Sequence, residues 1–260
     1  MLSIEKKGGV ARVTLDRPEV RNAFDDVLIG RLKEAFVDIE KDPGVRVLVL
    51  AGNGPAFCAG ADLNWMRRMA DYGYHDNVAD ARALAEMLGA LDRMTKPTVA
   101  RVHGAAFAGG TGLVAACDIA VGTPQAKFCF SEAKLGLSPA TISPYVIRAI
   151  GERAARRYFL SAEVFGAEDA LRIGLLSMLV AADELDAAIE GLLQHLLSGG
   201  PRAHAKIKEL VRAVSGRLLD EALIADTARR IAEIRASEEG KEGIAAFLEK
   251  RKPSWCSPKS

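Results

Sequence analysis

The sequence predicts an α/β fold: a spiral of strand–strand–helix turns at the N-terminal side, followed by a helical C-terminal region. Three observations carry this. Apolar strand-like runs alternate with amphipathic segments from the N-terminus to about residue 135. Beyond residue 143 the apolar spacing is almost wholly of the 3.6-residue type. Two strand-to-helix junctions, at 51–62 and 104–113, are rich in glycine, so bare backbone amides precede a helix start at each.

In chain order, residues 2–6 and 10–15 alternate around Gly8-Gly9 and predict a β-hairpin. Asp25 and Asp26 cap a helix that runs through Glu40 and is stopped by Asp42-Pro43-Gly44. The run 45–50 predicts a buried strand, 62–70 and 76–94 helices, and 98–102 another buried strand. Gly104–Gly112 is expected as one turn into a small-residue helix from Leu113, followed by strands near 118–122 and 127–130. Helices are expected near 143–160, 167–173, 184–198, 201–214, 218–236 and 241–249, with a short strand at 176–180. No fixed-period repeat is present. The expected division is a core at 1–195 and a helical region at 196–260.

Apolar residues make up 49% of the 260 residues and charged residues 27%, enough for a sizeable core. A formal net charge of +1 argues against a basic field for nucleic acid or a polybasic membrane patch. Cys58, Cys117, Cys129 and Cys256 form no C-x-x-C pair, and no His/Asp/Glu set has metal spacing, so neither a metal nor a disulfide framework is expected. The first residues lack a signal-peptide pattern and no run reaches the roughly 18 apolar residues of a membrane span. The expected location is cytoplasmic.

The glycine junctions point to an anion. Gly104-x-x-x-x-Gly109-x-Thr111 resembles a phosphate loop, but Gly110 stands where its lysine would be, so the largest electrostatic contribution to phosphate binding is missing. Gly110-Thr-Gly112 followed by Leu-Val-Ala also fails the dinucleotide pattern. Amide donors without a fixed cation suit a smaller, developing charge, such as a carbonyl oxygen becoming an enolate. Glycines that merely let a helix pack closely on a sheet would look the same.

Four motifs, in order, resemble the crotonase (enoyl-CoA hydratase/isomerase) superfamily. They are Arg17-Pro18-Glu19-x-x-Asn22-Ala23; Phe57-Cys58-Ala59-Gly60-Ala61-Asp62-Leu63; His103-Gly104-x-Ala106-x-x-Gly109-Gly110 through Cys117-Asp118-Ile119-Ala120; and Ala126-Lys127-Phe128-x-x-x-Glu132-x-x-x-Gly136-Leu137. The resemblance implies a crotonase-like ββα spiral core, an acyl-CoA thioester as substrate, no cofactor beyond the CoA it carries, and a homotrimer or hexamer. Apolar faces at 222–234 and 244–248 suit such an intersubunit surface, and packing within the chain accounts for them equally well.

By resemblance, the oxyanion donors are the backbone amides of Ala61 and Gly109, and Glu132 is the catalytic acid–base group. A carboxylate at the end of an apolar strand also fits that role on its own account, since burial raises its pKa toward neutrality. Val20, Arg21, Ala23, Ala59, Asp62, Leu63, Phe107, Gly110, Gly112, Ser131 and Leu137 fall at positions implied to cradle CoA or the acyl chain. Arg67 and Arg68 are candidates for a second substrate carboxylate, and Trp65 and Met66 for the acyl wall, although exposed arginines and core packing explain them as well.

Gly112 departs from the family's two-glutamate hydratases, whose other glutamate falls there. Adding water calls for a group that deprotonates water and a proton source at C2, whereas moving a double bond needs one shuttling base. Pro139-Ala140-Thr141-Ile142-Ser143-Pro144-Tyr145 resembles bacterial hydratases acting on methylglutaconyl-CoA or its longer relatives. The resulting expectation is a hydratase of a branched enoyl-CoA. The alternatives are an isomerase with one glutamate and a catalytically weak acyl-CoA-binding paralogue.

Overall fold

The computed structural model describes residues 1–256. It divides into two compact units: residues 1–94 with 98–191, and residues 95–97 with those from 192 on.

In the first unit, β1 (Leu2–Lys7) and β2 (Val10–Leu15) form the expected hairpin, and α1 (Asp26–Lys41) is capped by the Asp25 carboxylate, which accepts from the Leu28 amide. Then come β3 (Val47–Gly52), α2 (Leu63–Met69), α3 (Tyr74–Asp92), β4 (Thr98–Val102), β5 (Ala105–Phe107), α4 (Gly109–Ala116), β6 (Ile119–Gly122) and β7 (Lys127–Cys129). α5 (Ser143–Ser161), β8 (Phe165–Gly166), α6 (Ala167–Arg172), β9 (Met178–Leu179) and the start of α7 (Leu185–Ser198) complete it.

A six-stranded sheet runs β1-β2-β3-β4-β6-β9, antiparallel only at the β1–β2 edge. A second sheet has the order β5-β7-β8. β3 is buried at Val47, Leu48, Val49 and Leu50, as a strand covered on both faces must be. Leu28, Ile29, Leu32, Phe36 and Ile39, along one face of α1, join the same core.

The second unit contains the rest of α7, then α8 (Pro201–Val214), α9 (Glu221–Ala236) and α10 (Glu238–Leu248). α9 starts on the Asp220 carboxylate and α10 on the Ser237 hydroxyl.

Three expectations need correction. Gly104–Gly112 is not one turn: Ala105–Phe107 is a strand paired with Lys127–Cys129, and α4 begins at Gly109 rather than Leu113. The buried strand after α1 is Val47–Gly52 rather than 45–50, and the amides of Arg46 and Val47 both donate to the Gly9 carbonyl of the hairpin turn. The strand expected at 176–180 shrinks to Met178–Leu179, paired with Val121 and Gly122.

Candidate active site

The site is built where three chain segments bond edge to edge. Cys58 lies against Ala106 in a parallel bridge, its amide donating to Ala105 O and its carbonyl accepting from Phe107 N–H. On the other side Phe24 bridges to Ala61: Phe24 N–H donates to Gly60 O at 2.7 Å, and Asp62 N–H donates to Phe24 O at 2.6 Å. In this parallel pattern the bonds to Phe24 use Gly60 and Asp62, so the Ala61 N–H points away from the pairing.

The second donor comes from the start of α4. Ala108 N–H donates to Cys129 O, and the Gly112 amide closes the first helical turn onto Ala108 O at 3.0 Å. The Gly109 N–H is the first of the helix's orphan donors. Ala108 holds φ 46° and ψ −116°, a left-handed conformation that costs a residue with a Cβ roughly 1–3 kcal/mol and persists because the strand before it and the helix after it fix both ends. The two loops interlock: a Cβ on Gly110 would lie 2.5 Å from Cys58 O, so only glycine lets α4 come this close. Ala61 and Gly109 are both partly exposed, reachable from outside.

The Arg17–Asn22 motif holds this arrangement. Asn22, fully buried, accepts from Arg17 N–H at 2.8 Å and donates to Asn53 O and Ala56 O, each at 2.8 Å. Arg17 donates to Ala23 O, to the Asp25 carboxylate at 2.7 Å and to Asp62 at 3.1 Å. Asp62 also caps α2 through the amides of Asn64 and Trp65. Burial pushes the Asp62 carboxyl upward, but those two amides and Arg17 outweigh it and hold it below the usual range.

Glu132 lies three residues after β7, whose last residue, Cys129, accepts at its carbonyl from the Ala108 amide just before α4. It lies in a 3-10 turn, Ser131–Leu135. Its Oε2 is buried without a hydrogen-bond partner. Burial pushes its carboxyl above the usual range, against the lowering effect of its own backbone amide.

The remaining expected positions separate by exposure. Leu63 and Leu137 are strongly exposed, Arg21 is exposed, and Val20, Ala59, Phe107 and Ser131 are partly so. Ala23, Asp62, Gly110 and Gly112 are buried, where they position backbone rather than offer surface. Arg68 is paired with Asp26, and Arg67 donates to the Asn64 side chain. Trp65 is a core residue whose Nε1–H donates to Asp80, while Met66 is partly exposed. Among the described residues no cluster of three His, Cys, Asp or Glu side chains is placed to hold a metal.

Backbone amides free of the local pairing at Ala61 and Gly109, together with a buried carboxylate at Glu132, are the kind of groups that chemistry next to a carbonyl requires, where negative charge builds on oxygen. The enoyl-CoA hydratase/isomerase family model matches residues 5–258. An enoyl-CoA hydratase of Alternaria alternata is 36% identical over 95% of this chain and 81% of its own length. The crystal structure of an enoyl-CoA hydratase from Shewanella pealeana is 46% identical, with a TM-score of 0.95 over 98% of this chain and 95% of that one. Pseudomonas aeruginosa AtuE is 39% identical, with a TM-score of 0.92 over 98% and 99%. The chain belongs to the enoyl-CoA hydratase/isomerase family, and it is an enzyme of that family.

Proposed function

We propose that this enzyme adds water across the α,β double bond of an enoyl-CoA thioester, with Glu132 as its acid–base group. The carrying observation is the buried Glu132 carboxylate, raised in pKa by burial and with one oxygen unpartnered. In this reading the thioester oxygen sits between the amides of Ala61 and Gly109. Glu132 takes a proton from water as the water oxygen bonds to C3, and the thioester becomes an enolate. Each amide lowers the barrier to that enolate by roughly 3–4 kcal/mol. Glu132 then returns its proton to C2, so one water is consumed and the carboxylate is regenerated.

The branched, methylglutaconyl-like acyl group rests on the Pro139–Tyr145 segment alone. Isomerisation is the second reading, carried by Gly112, which stands where the family's two-glutamate hydratases are expected to have their other glutamate. A base removing a proton at C2 and returning it at C4 needs only one such group. The helices of the second unit expose Ile207, Val211, Ile224, Ile231, Phe247 and Leu248, which supports a trimer or hexamer in solution.

The test is turnover of a panel of 2-enoyl-CoAs and 3-enoyl-CoAs in water enriched in heavy oxygen. Heavy oxygen in the product supports hydration. Double-bond migration without it supports the isomerase, and no turnover with acyl-CoA still bound supports the weak paralogue.

A further inference from the structure

α5 is broken at its middle. Gly151 holds φ 74° and ψ 161°, so residues 152–161 form a helical segment with an N-terminus of its own. The first turn of that segment, together with Arg156, Arg157 and Arg172, lines an open cavity of about 880 Å³, within the range of small-ligand sites. Arg157 pairs with Glu163 and Arg172 with Asp169, whereas Arg153 and Arg156, both exposed, form no ion pair among the described residues. Tyr158, 1% exposed, lines the same cavity. Its ring is fixed by stacking on Phe165, with centroids 4.0 Å apart, and by the Arg157 guanidinium 4.9 Å from its centre. Its hydroxyl is buried without a hydrogen-bond partner, and the charges that act on it are those of Asp169, Arg157, Glu163 and Arg172. A buried donor thus stands unsatisfied within a cluster of guanidinium groups, which weakens the fold until an acceptor completes it.

We infer that this cavity binds the diphosphate of a nucleotide, at a site separate from the candidate active site. An anionic oxygen is the acceptor that the Tyr158 hydroxyl lacks, whereas a cation would meet four guanidinium groups. Arg153, Arg156 and Arg157 are three and four residues apart, hence on one helix face, and their planar forks match phosphate oxygens. The N-terminus of the 152–161 segment adds the positive end of its dipole. Glu152 opposes the anion, and it is outnumbered four to one among the charges lining the cavity. A lone phosphate would leave most of the volume empty, and Ile150, Ala154 and Ile173 offer apolar surface to the rest of a nucleotide. Neither Glu132, Ala61 nor Gly109 lines this cavity.

Titration calorimetry of the full chain with ADP and with pyrophosphate tests this. ADP should bind, and pyrophosphate more weakly, because it leaves the apolar surface uncovered. The double variant Arg153→Gln/Arg156→Gln should weaken ADP binding by at least about 10-fold, while Arg31→Gln, which removes an exposed arginine of α1, should change it by less than about 2-fold. Tyr158→Phe should weaken ADP by roughly 5-fold or more and leave the Tm of the ligand-free protein equal or higher, because it deletes a buried hydroxyl that has no partner. A lowered Tm in Tyr158→Phe with unchanged ADP affinity assigns that hydroxyl to the fold and overturns the site. So does the absence of ADP and pyrophosphate binding at millimolar concentration, or an equal loss in Arg31→Gln. Turnover separates this site from the thioester's own nucleotide: an unchanged KM for the enoyl-CoA in the double variant supports two sites. A KM raised by the same factor as the ADP loss overturns the separate site and leaves the acyl-CoA reading standing.

Discussion

Replacing Glu132 with Gln removes a charge and a proton acceptor while leaving the shape of the site. Oε2 has no hydrogen-bond partner, so no bond to that atom is lost. The backbone amides of Ala61 and Gly109 stand on other segments and should keep their geometry. The whole effect is therefore expected in kcat: a fall of roughly 10²–10⁴-fold, or about 3–5 kcal/mol of barrier, the usual contribution of a positioned acid–base group. KM for the thioester should change by less than about 3-fold. In the wild type the acid limb of kcat/KM should lie above the ordinary glutamate range, because burial raises the Glu132 carboxyl and the reaction needs it ionised.

Stability supplies an independent check with its own sign. A carboxyl raised in the folded state disfavours folding when ionised. The wild type therefore carries that cost above its folded pKa and sheds it as pH falls below the unfolded value, near 4.3. The stability difference should move in favour of Glu132→Gln as pH rises from about 4 to 8. The assay pairs stopped-flow absorbance of the enoyl thioester with urea unfolding across that pH range. A Gln variant with near-normal kcat and a flat stability difference would refute both the catalytic assignment and the desolvated carboxylate.

Gly109→Pro and Gly109→Ala both push a new carbon toward Phe24, which lies 2.7 Å from a Cβ at 109, but only proline deletes the amide hydrogen. The proline variant should be roughly 10²–10³-fold slower than the alanine variant in kcat, and equal rates would remove Gly109 from the oxyanion site. Arg17→Met should lower stability by about 2–3 kcal/mol in urea unfolding, because the Asp25 and Asp62 carboxylates lose a half-buried partner. Cys58 is fully buried, and burial pushes its thiol up to about 12, so iodoacetamide at pH 8 should not label it in the native state, as followed by peptide mass spectrometry.

Elements whose pattern is long and locally sufficient were legible from sequence. The strand Thr98–Val102 and the helix Pro201–Val214 fall where the apolar spacing put them. Asp25 and Asp62 were readable as helix starts, because a short carboxylate before an apolar run has few other uses. What escaped was set by distant partners. Ala105–Phe107 has three small or apolar residues and no pattern of its own; it is a strand only because 127–129 and Cys58 pair with it. The strained Ala108 carries no signal in its side chain. Glu132 stood out through its motif and apolar flank, but its orphaned oxygen is a product of tertiary burial. The Arg17–Asp62 pair joins residues 45 apart, so its motif could be matched before it could be explained.

The bridges Phe24–Ala61 and Cys58–Ala106 carry a consequence for how such a molecule can change over time. The donor amides belong to the main chain, and their directions are set by bonds between main-chain atoms of three segments. Side chains at Ala59, Ala61 and Phe107 contribute no hydrogen bond to that framework. Mutation can exchange them while the amide hydrogens of Ala61 and Gly109 stay where they are. On the proposed reading, charge stabilisation would be inherited through backbone connectivity and proton transfer through the single Glu132 side chain, separately from the side chains at Ala59, Ala61 and Phe107.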